Sequence, residues 1–352
     1  MLSRMAESLY WIGRYVERAE QTARLTEATL RHTIVMGSTT EAEARRQRHW
    51  AALLDIVGEH SAFPPGGPEG DEESVAAHLI FSSENGNSIV ECIARARDNA
   101  HTMRHQMATE MWEALNRFHL DVQRPRRKRR RRVASSAERT TRFCRSIVDF
   151  SQLLQGITDS TMPREEGWYF LQAGKFLERA EWTARTIDVN YRLLVGSTVE
   201  SGDRHALTAA AHDPQPWGTL LRSLSAYESY HRIQSRGVQP VAVIELLILS
   251  AVLPRSIRFS IGKVDAALAH ISEQAPAYNG SEPMPGASTE SEARREVGRL
   301  HAEFAYQRLD DLLEQGLHAS LLDIQRRCYR IGDCIEDEFF AHRPLTAQDV
   351  MA

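Results

Sequence analysis

The chain has 352 residues, 42% of them hydrophobic and 26% charged, with a formal net charge of −4 at pH 7. This is an ordinary globular composition with chain enough for a sizeable core, in two or three domains of ~150 residues on length alone. No run approaches the ~20 apolar residues that cross a bilayer, and the start lacks a charged segment followed by an apolar one. A cytoplasmic protein without a membrane is therefore expected. Four cysteines, Cys92, Cys144, Cys328 and Cys334, form no Cys-x-x-Cys pair, which fits reduced thiols rather than a zinc site or a disulfide framework.

Helical periodicity dominates and long alternating runs are hard to find, which predicts an all-α helical bundle of about a dozen helices. The first predicted helix carries Gly13-Arg14-Tyr15-Val16-Glu17-Arg18-Ala19-Glu20-Gln21-Thr22-Ala23-Arg24. Almost the same stretch returns as Gly174-Lys175-Phe176-Leu177-Glu178-Arg179-Ala180-Glu181-Trp182-Thr183-Ala184-Arg185, offset by 161 residues. At ~100° per residue, Gly13, Arg14, Glu17, Glu20 and Arg24 share one stripe, with Ile12, Tyr15, Ala19 and Ala23 on the other side. A core needs volume and hydrophobicity, not the same two carboxylates and the same arginine. Intrahelical pairs, Glu20 with Arg24 and Arg14 with Glu17, account for part of the pattern.

Farther along, Trp50-Ala51-Ala52-Leu53-Leu54 corresponds to Trp217-Gly218-Thr219-Leu220-Leu221 at an offset of 167, and Asn87-Ser88-Ile89 to Arg255-Ser256-Ile257 at 168. Leu153-Leu154-Gln155-Gly156 echoes Leu313-Glu314-Gln315-Gly316 at 160. Offsets that drift by a few residues suit loop insertions between equivalent helices. They predict two pseudo-repeated halves, 1–140 and 141–352, packed as one domain. Ser88 and Ser256 read as helix caps after turns. Residues 58–73, 124–136, 195–215 and 272–292 read as loops. Val238 to Leu249 is rich in β-branched residues, but its length and Pro240 near its start fit a buried helix better than a strand.

Between 124 and 132, eight of nine residues are basic, leaving 35 basic residues against 47 acidic ones elsewhere. Such a block is read as an arm for RNA or an acidic partner, or as a solvated insertion; no aromatic is interleaved for base stacking.

A di-metal reading of the glutamates finds no histidine at ligand spacing in the repeated motif; Glu228 with His231, and His101 with His105, have no counterparts in the other half. No metal site is expected. Nucleophile elbows, Walker loops and dinucleotide fingerprints are absent. The remaining candidate is a polar cleft between the two stripes. In it Glu17 and Glu178 would position an amine or take its proton, and Arg24 and Arg185 would hold a carboxylate or acyl phosphate. Arg14, Glu20, Lys175 and Glu181 would line it, and Gly13 and Gly174 would let a backbone or a ligand come close. Arg4 and Arg164, leading into the two motif helices, would approach the same cleft. The alternative is that the two glycine-bearing helices pack against each other and bury mutually paired charges.

Taken together, Met1 to Arg24, the stretch from Asn87 to Asn116, Asp159 to Arg185, Leu220 to Ile233 and the Pro254-Arg255-Ser256-Ile257 tetrad resemble the bacterial alpha-E family, over a span from Met1 to about His342. The family pattern has an aspartate ahead of the Pro-Arg-Ser-Ile and Asn-x-x-Ser-Ile motifs; this chain has Ser250 and Ser83 or Glu84 there. The resemblance implies association with a circularly permuted ATP-grasp protein, sometimes as a fusion, often beside a transglutaminase-like protein. ATP-grasp enzymes join carboxylates to amines through an acyl phosphate. The implied function is thus a helical partner subunit of an amide ligase acting on a peptide or amino acid. ATP and Mg would be bound by the partner and no cofactor by this chain. A non-catalytic scaffold, a nucleic-acid-binding adaptor and a free-standing hydrolase or transferase are the alternatives.

Overall fold

The computed structural model describes residues 3–37, 39–59, 72–123, 136–195, 203–235, 237–274 and 291–340. Its order is α1 (Ser3–Ile34), α2 (Thr40–Val57), α3 (Glu72–Phe81), α4 (Ile89–Thr102), α5 (Thr109–Gln123), α6 (Ser136–Thr161), α7 (Glu166–Val195), α8 (Asp203–Ala209), α9 (Pro214–Ser223), α10 (Tyr227–Ile233), α11 (Pro240–Leu249), α12 (Ile257–Gln274), α13 (Glu292–Tyr306), α14 (Leu309–Glu314) and α15 (Leu317–Ile335). The protein is all-α, and no strand occurs among the described residues.

The two motif helices are the longest, with 32 residues in α1 and 30 in α7, and they pack along each other. Glycine makes that contact close. A Cβ on Gly13 would stand 2.3 Å from the Leu171 carbonyl oxygen, and one on Gly174 2.1 Å from that of Tyr10. Helix α1 also packs on α4 and α6, and α7 on α12 and α15, while α2 reaches α7 and α9 reaches α1. Both central helices are consequently buried on nearly every side: Ala19 and Ala23 are sealed from solvent, and so are Glu17 and Glu20 on the polar stripe. A smaller cluster, including Leu30, Trp50, Leu53, Leu79 and Trp182, forms where α2 and α3 lie over the α1–α7 pair.

Local signals place several elements as expected. Ser88 caps α4 by accepting from the Glu91 N–H at 3.3 Å, and Ser256 caps α12 by accepting from that of Phe259 at 3.1 Å. Each hydroxyl also donates back to a carbonyl six residues earlier, Ser82 or Ser250. Ser250 Oγ accepts from the Val252 and Leu253 N–H groups, a turn bond that Ser and Asp side chains both make. The β-branched stretch is helix α11, with Pro240 in its first turn, where a missing N–H costs nothing.

One expectation needs correction. The stretch 195–215 is not all loop: it contains α8 and a 3₁₀ turn, Ala210–His212, because Leu207 is fully buried and ties α8 down. Residues 140 and 141, where the two halves were expected to meet, lie inside α6, which packs on α1. The basic run 124–132 lies outside the described residues, as do 60–71 and 275–290, most of the two loops expected at 58–73 and 272–292.

Candidate functional site

Where α1 crosses α7, the repeated charges bond to one another across the contact. Arg14 donates from Nε to Glu178 Oε2 at 2.7 Å and from Nη2 to Glu181 Oε2 at 3.2 Å. Arg18 forks onto the same carboxylate, Nε to Glu178 Oε1 at 2.6 Å and Nη2 to Oε2 at 3.1 Å, and its Nη1 reaches Asn87 Oδ1 at 2.6 Å. In the opposite direction Arg179 forks onto Glu17, Nε to Oε1 at 2.8 Å and Nη2 to Oε2 at 2.6 Å. Arg255, brought in by the turn before α12, bonds Glu17 at 3.0 Å and also Glu20. Gln21 and Trp182, equivalent positions in the two motifs, donate to the carboxylate four residues before them at 2.6 and 2.9 Å.

The outer carboxylates close the network. Glu20 accepts from Arg24 Nε at 2.7 Å and from Ser151 Oγ on α6 at 2.6 Å. Glu181 accepts from Arg185 Nη2 at 2.6 Å; that arginine also bonds the Ile56 carbonyl at 3.1 Å and the Tyr329 hydroxyl. The intrahelical pair Glu20 with Arg24 forms as expected. Arg14 with Glu17 does not, because Arg14 turns across to α7, where two carboxylates are within reach.

Burial and charge pull these groups in opposite directions. Burial pushes Glu17 up, but Arg179 and Arg255 outweigh it and hold the carboxyl at about 2, against an ordinary 4.5. Burial likewise raises Glu178, and Arg18 with Arg14 brings it down to about 2. Glu181 goes the other way, raised by burial and by its neighbour Glu178. Lys175 is lowered to about 8 by burial and by the like charge of Arg179, and donates to Gln155 at 3.2 Å.

A carboxylate held at about 2, with both oxygens occupied by arginine, is a weak proton acceptor at neutral pH. The pair acts on stability instead. The folded value lies below the ordinary one, so the stabilisation is complete above pH 4.5 and is lost as pH falls towards about 2. The urea midpoint is accordingly expected to fall steeply across that window. A flat profile would mean that the two glutamates are not paired as charges.

The expected open cleft is therefore a packed contact at its centre. Gly13 and Gly174 admit the other helix's backbone. Arg4 is exposed, and lies ~15 Å along α1 from Arg14. Arg164 is also exposed; it pairs with Asp159 at 3.2 Å and stacks on Trp168. Neither arginine joins the network. Arg18, Arg179, Asn87, Ser151 and Arg255 do join it, and the stripe of Gly13, Arg14, Glu17, Glu20 and Arg24 leaves them out. The repeat carried the signal for the first two, since Arg18 and Arg179 recur at the same offset of 161. Three motif arginines reach partly open surface, Arg18, Arg24 and Arg185, with side chains 17%, 15% and 18% exposed; of these Arg18 has all three nitrogens bonded within the network. Arg24 borders a pocket of about 460 Å³.

No cluster of three or more His, Cys, Asp or Glu placed to hold a metal occurs among the described residues. His231 packs against Tyr227 and Tyr230, and His101 against Trp112. The cysteines are free, and burial pushes the Cys92 thiol up to about 12. No helix among the described residues is long and apolar enough to cross a membrane.

Proteins of Mycobacterium bovis and Mycobacterium tuberculosis, the latter in two strains and all three uncharacterised, are 24% identical to this chain over 346 residues. The match takes in 91% of this chain but 36% of each relative, so the chain spans about a third of their length. No solved structure matches. The family described as "a predicted alpha-helical domain with a conserved ER motif" matches residues 1–340, and Glu17-Arg18 and Glu178-Arg179 are two such dipeptides, each glutamate gripped by the other's arginine. The chain belongs to the alpha-E family.

Proposed function

We propose that this chain is the helical partner of an ATP-dependent carboxylate–amine ligase of the ATP-grasp type, in the synthesis or modification of a peptide or amino-acid conjugate. The observation that carries the reading is the saturation of the Glu-Arg network. Glu17 and Glu178 are spent on holding α1 against α7, so the bond-making groups come from another polypeptide. Two facts support it. The mycobacterial relatives carry their matched region as about a third of a longer chain, as expected of a unit that works joined to other domains. The alpha-E resemblance implies an ATP-grasp partner, with a transglutaminase-like protein often nearby.

In this reading Arg14, Glu20, Lys175 and Glu181 belong to the frame along with the two central glutamates. Arg24 and Arg185, at its edges, are the motif residues left to meet substrate or partner. ATP and Mg belong to the partner, and a ligase drawing on ATP works in the cytoplasm. The test is affinity purification of the tagged chain from its own cells with mass spectrometry, followed by an ATP-dependent ligation assay. An ATP-grasp protein retained near stoichiometry, with ADP release only when both proteins and an amine are present, is the expected result. Turnover by this chain without ATP, or retention of RNA alone, would overturn it.

A further inference from the structure

The pocket bordered by Arg24 opens where α1, α6 and α9 meet, and it is lined by four arginines from three helices: Arg24 and Arg31 from α1, Arg145 from α6 and Arg222 from α9. Its volume, about 460 Å³, is that of a small-ligand site. The chain as a whole carries a net charge of −4, so a converging set of guanidiniums is a local departure.

Counter-charge is short. Glu27 serves Arg31 and Arg145 through a single oxygen, Oε1, at 2.6 and 2.9 Å. Glu20 serves Arg24 but is shared with Arg255. Arg222 stacks on Tyr227 with its guanidinium carbon 4.1 Å from the ring centroid, and has no carboxylate partner among the described residues. Nearby Asp213 is occupied in capping α9 through the Gln215 N–H. His32 also lines the pocket; its Nδ1 meets Thr219 Oγ1 at 3.3 Å, and its buried Nε2 has no partner among the described residues.

Helix polarity explains some of this. Arg31 lies in the last turn of α1 and Arg222 in that of α9, where cations complement the carbonyl terminus. It does not explain Arg145, which stands in the body of α6, nor the convergence of all four on one opening. The lining includes no glycine, and so lacks the bare backbone loop that cradles a nucleotide's phosphates. Separate guanidinium forks on separate helices suit a ligand whose charges are themselves separate, as carboxylates along a chain are.

We propose that this pocket binds a short acidic peptide through its carboxylates. The proposal rests on the ligase-partner reading only for the ligation that would follow; binding is a property of this chain alone. Arg24 and Arg31 would hold carboxylates from the α1 side, with Arg145 and Arg222 closing on the same peptide from α6 and α9.

The test is fluorescence anisotropy of fluorescein-labelled pentaglutamate with the purified full chain at low salt, where charge pairing is least screened. Saturable binding displaced by unlabelled pentaglutamate and not by pentaglutamine is expected. R145A and R222A should each weaken it about tenfold and the double variant about a hundredfold. R326A, an exposed arginine on α15, should leave it unchanged, and all variants should keep the wild-type circular dichroism and melting temperature. Undiminished binding by the double variant, or no saturable binding up to about 10 mM peptide, would overturn the proposal. So would displacement by inorganic phosphate or Mg·ATP at concentrations below those of unlabelled pentaglutamate, which would make the pocket a phosphate site. Peptide binding with no ligase partner in the purification would sink the ligase reading and leave this one standing; a ligase partner without peptide binding would do the reverse.

Discussion

Glu178→Gln is expected to destabilise the protein by about 3–5 kcal/mol, because it leaves charged arginines buried with no counter-charge. Glu178 is fully buried and accepts from Arg14, Arg18 and Trp182. Glutamine keeps its shape but aims an N–H₂ group at guanidinium donors. A folded protein's net stability is about 5–15 kcal/mol, so the loss is a large part of it. Glu17→Gln should behave alike, since Glu17 holds Arg179 and Arg255.

The control is to remove the whole charged group. Glu178→Leu with Arg14→Met and Arg18→Met should recover much of the loss, because breaking one partner of a buried pair costs more than replacing all of them by apolar side chains. Urea unfolding of the three proteins measures this. If Glu178→Gln left the midpoint unmoved yet abolished ligation with the partner, Glu178 would be a reacting group and its place in the frame would fall.

Gly174→Ala is expected to cost about 3 kcal/mol or more, at the upper end for overpacking. The added methyl would stand 2.1 Å from the Tyr10 carbonyl oxygen and 3.1 Å from its ring. A backbone oxygen cannot swing aside as a side chain can, so the helices must separate. Separation lengthens the 2.6–2.8 Å bonds between Arg179 and Glu17. Gly13→Ala, 2.3 Å from the Leu171 oxygen, should act on the other side of the same contact. Gly156→Ala in α6 is the informative contrast. Nothing lies within 4 Å of its added methyl, and alanine should stabilise that helix by about 0.5–1 kcal/mol. Equal effects at Gly174 and Gly156 would show that backbone approach is not what glycine provides at the crossing.

Much of this was legible in the chain because it is local. The helical class, α11 with its early proline, and the capping serines Ser88 and Ser256 all follow from signals a few residues long. The recurrence of Gly13 and Gly174, Glu17 and Glu178, and Arg18 and Arg179 was likewise in plain view. Burial of α8 through Leu207 was not, since a lone leucine in a polar stretch does not say what it will meet.

The sequence by itself determined the helical class, which residue types the two motifs carry and that glycine sits at matching points of both. Only the tertiary structure decided what those charges face. Helical spacing records which side chains share a stripe, but not whether the stripe meets solvent, a ligand or its own copy 161 residues away. For Arg14 that choice was between Glu17 on its own helix and Glu178 across the contact, and it went to the carboxylate that packing brought within 2.7 Å. Arg255 reaches Glu17 from 238 positions away, and Arg145 and Arg222 come to the Arg24 pocket from two other helices. Partners so distant in the chain leave no short-range signal, because their meeting depends on how whole helices stack.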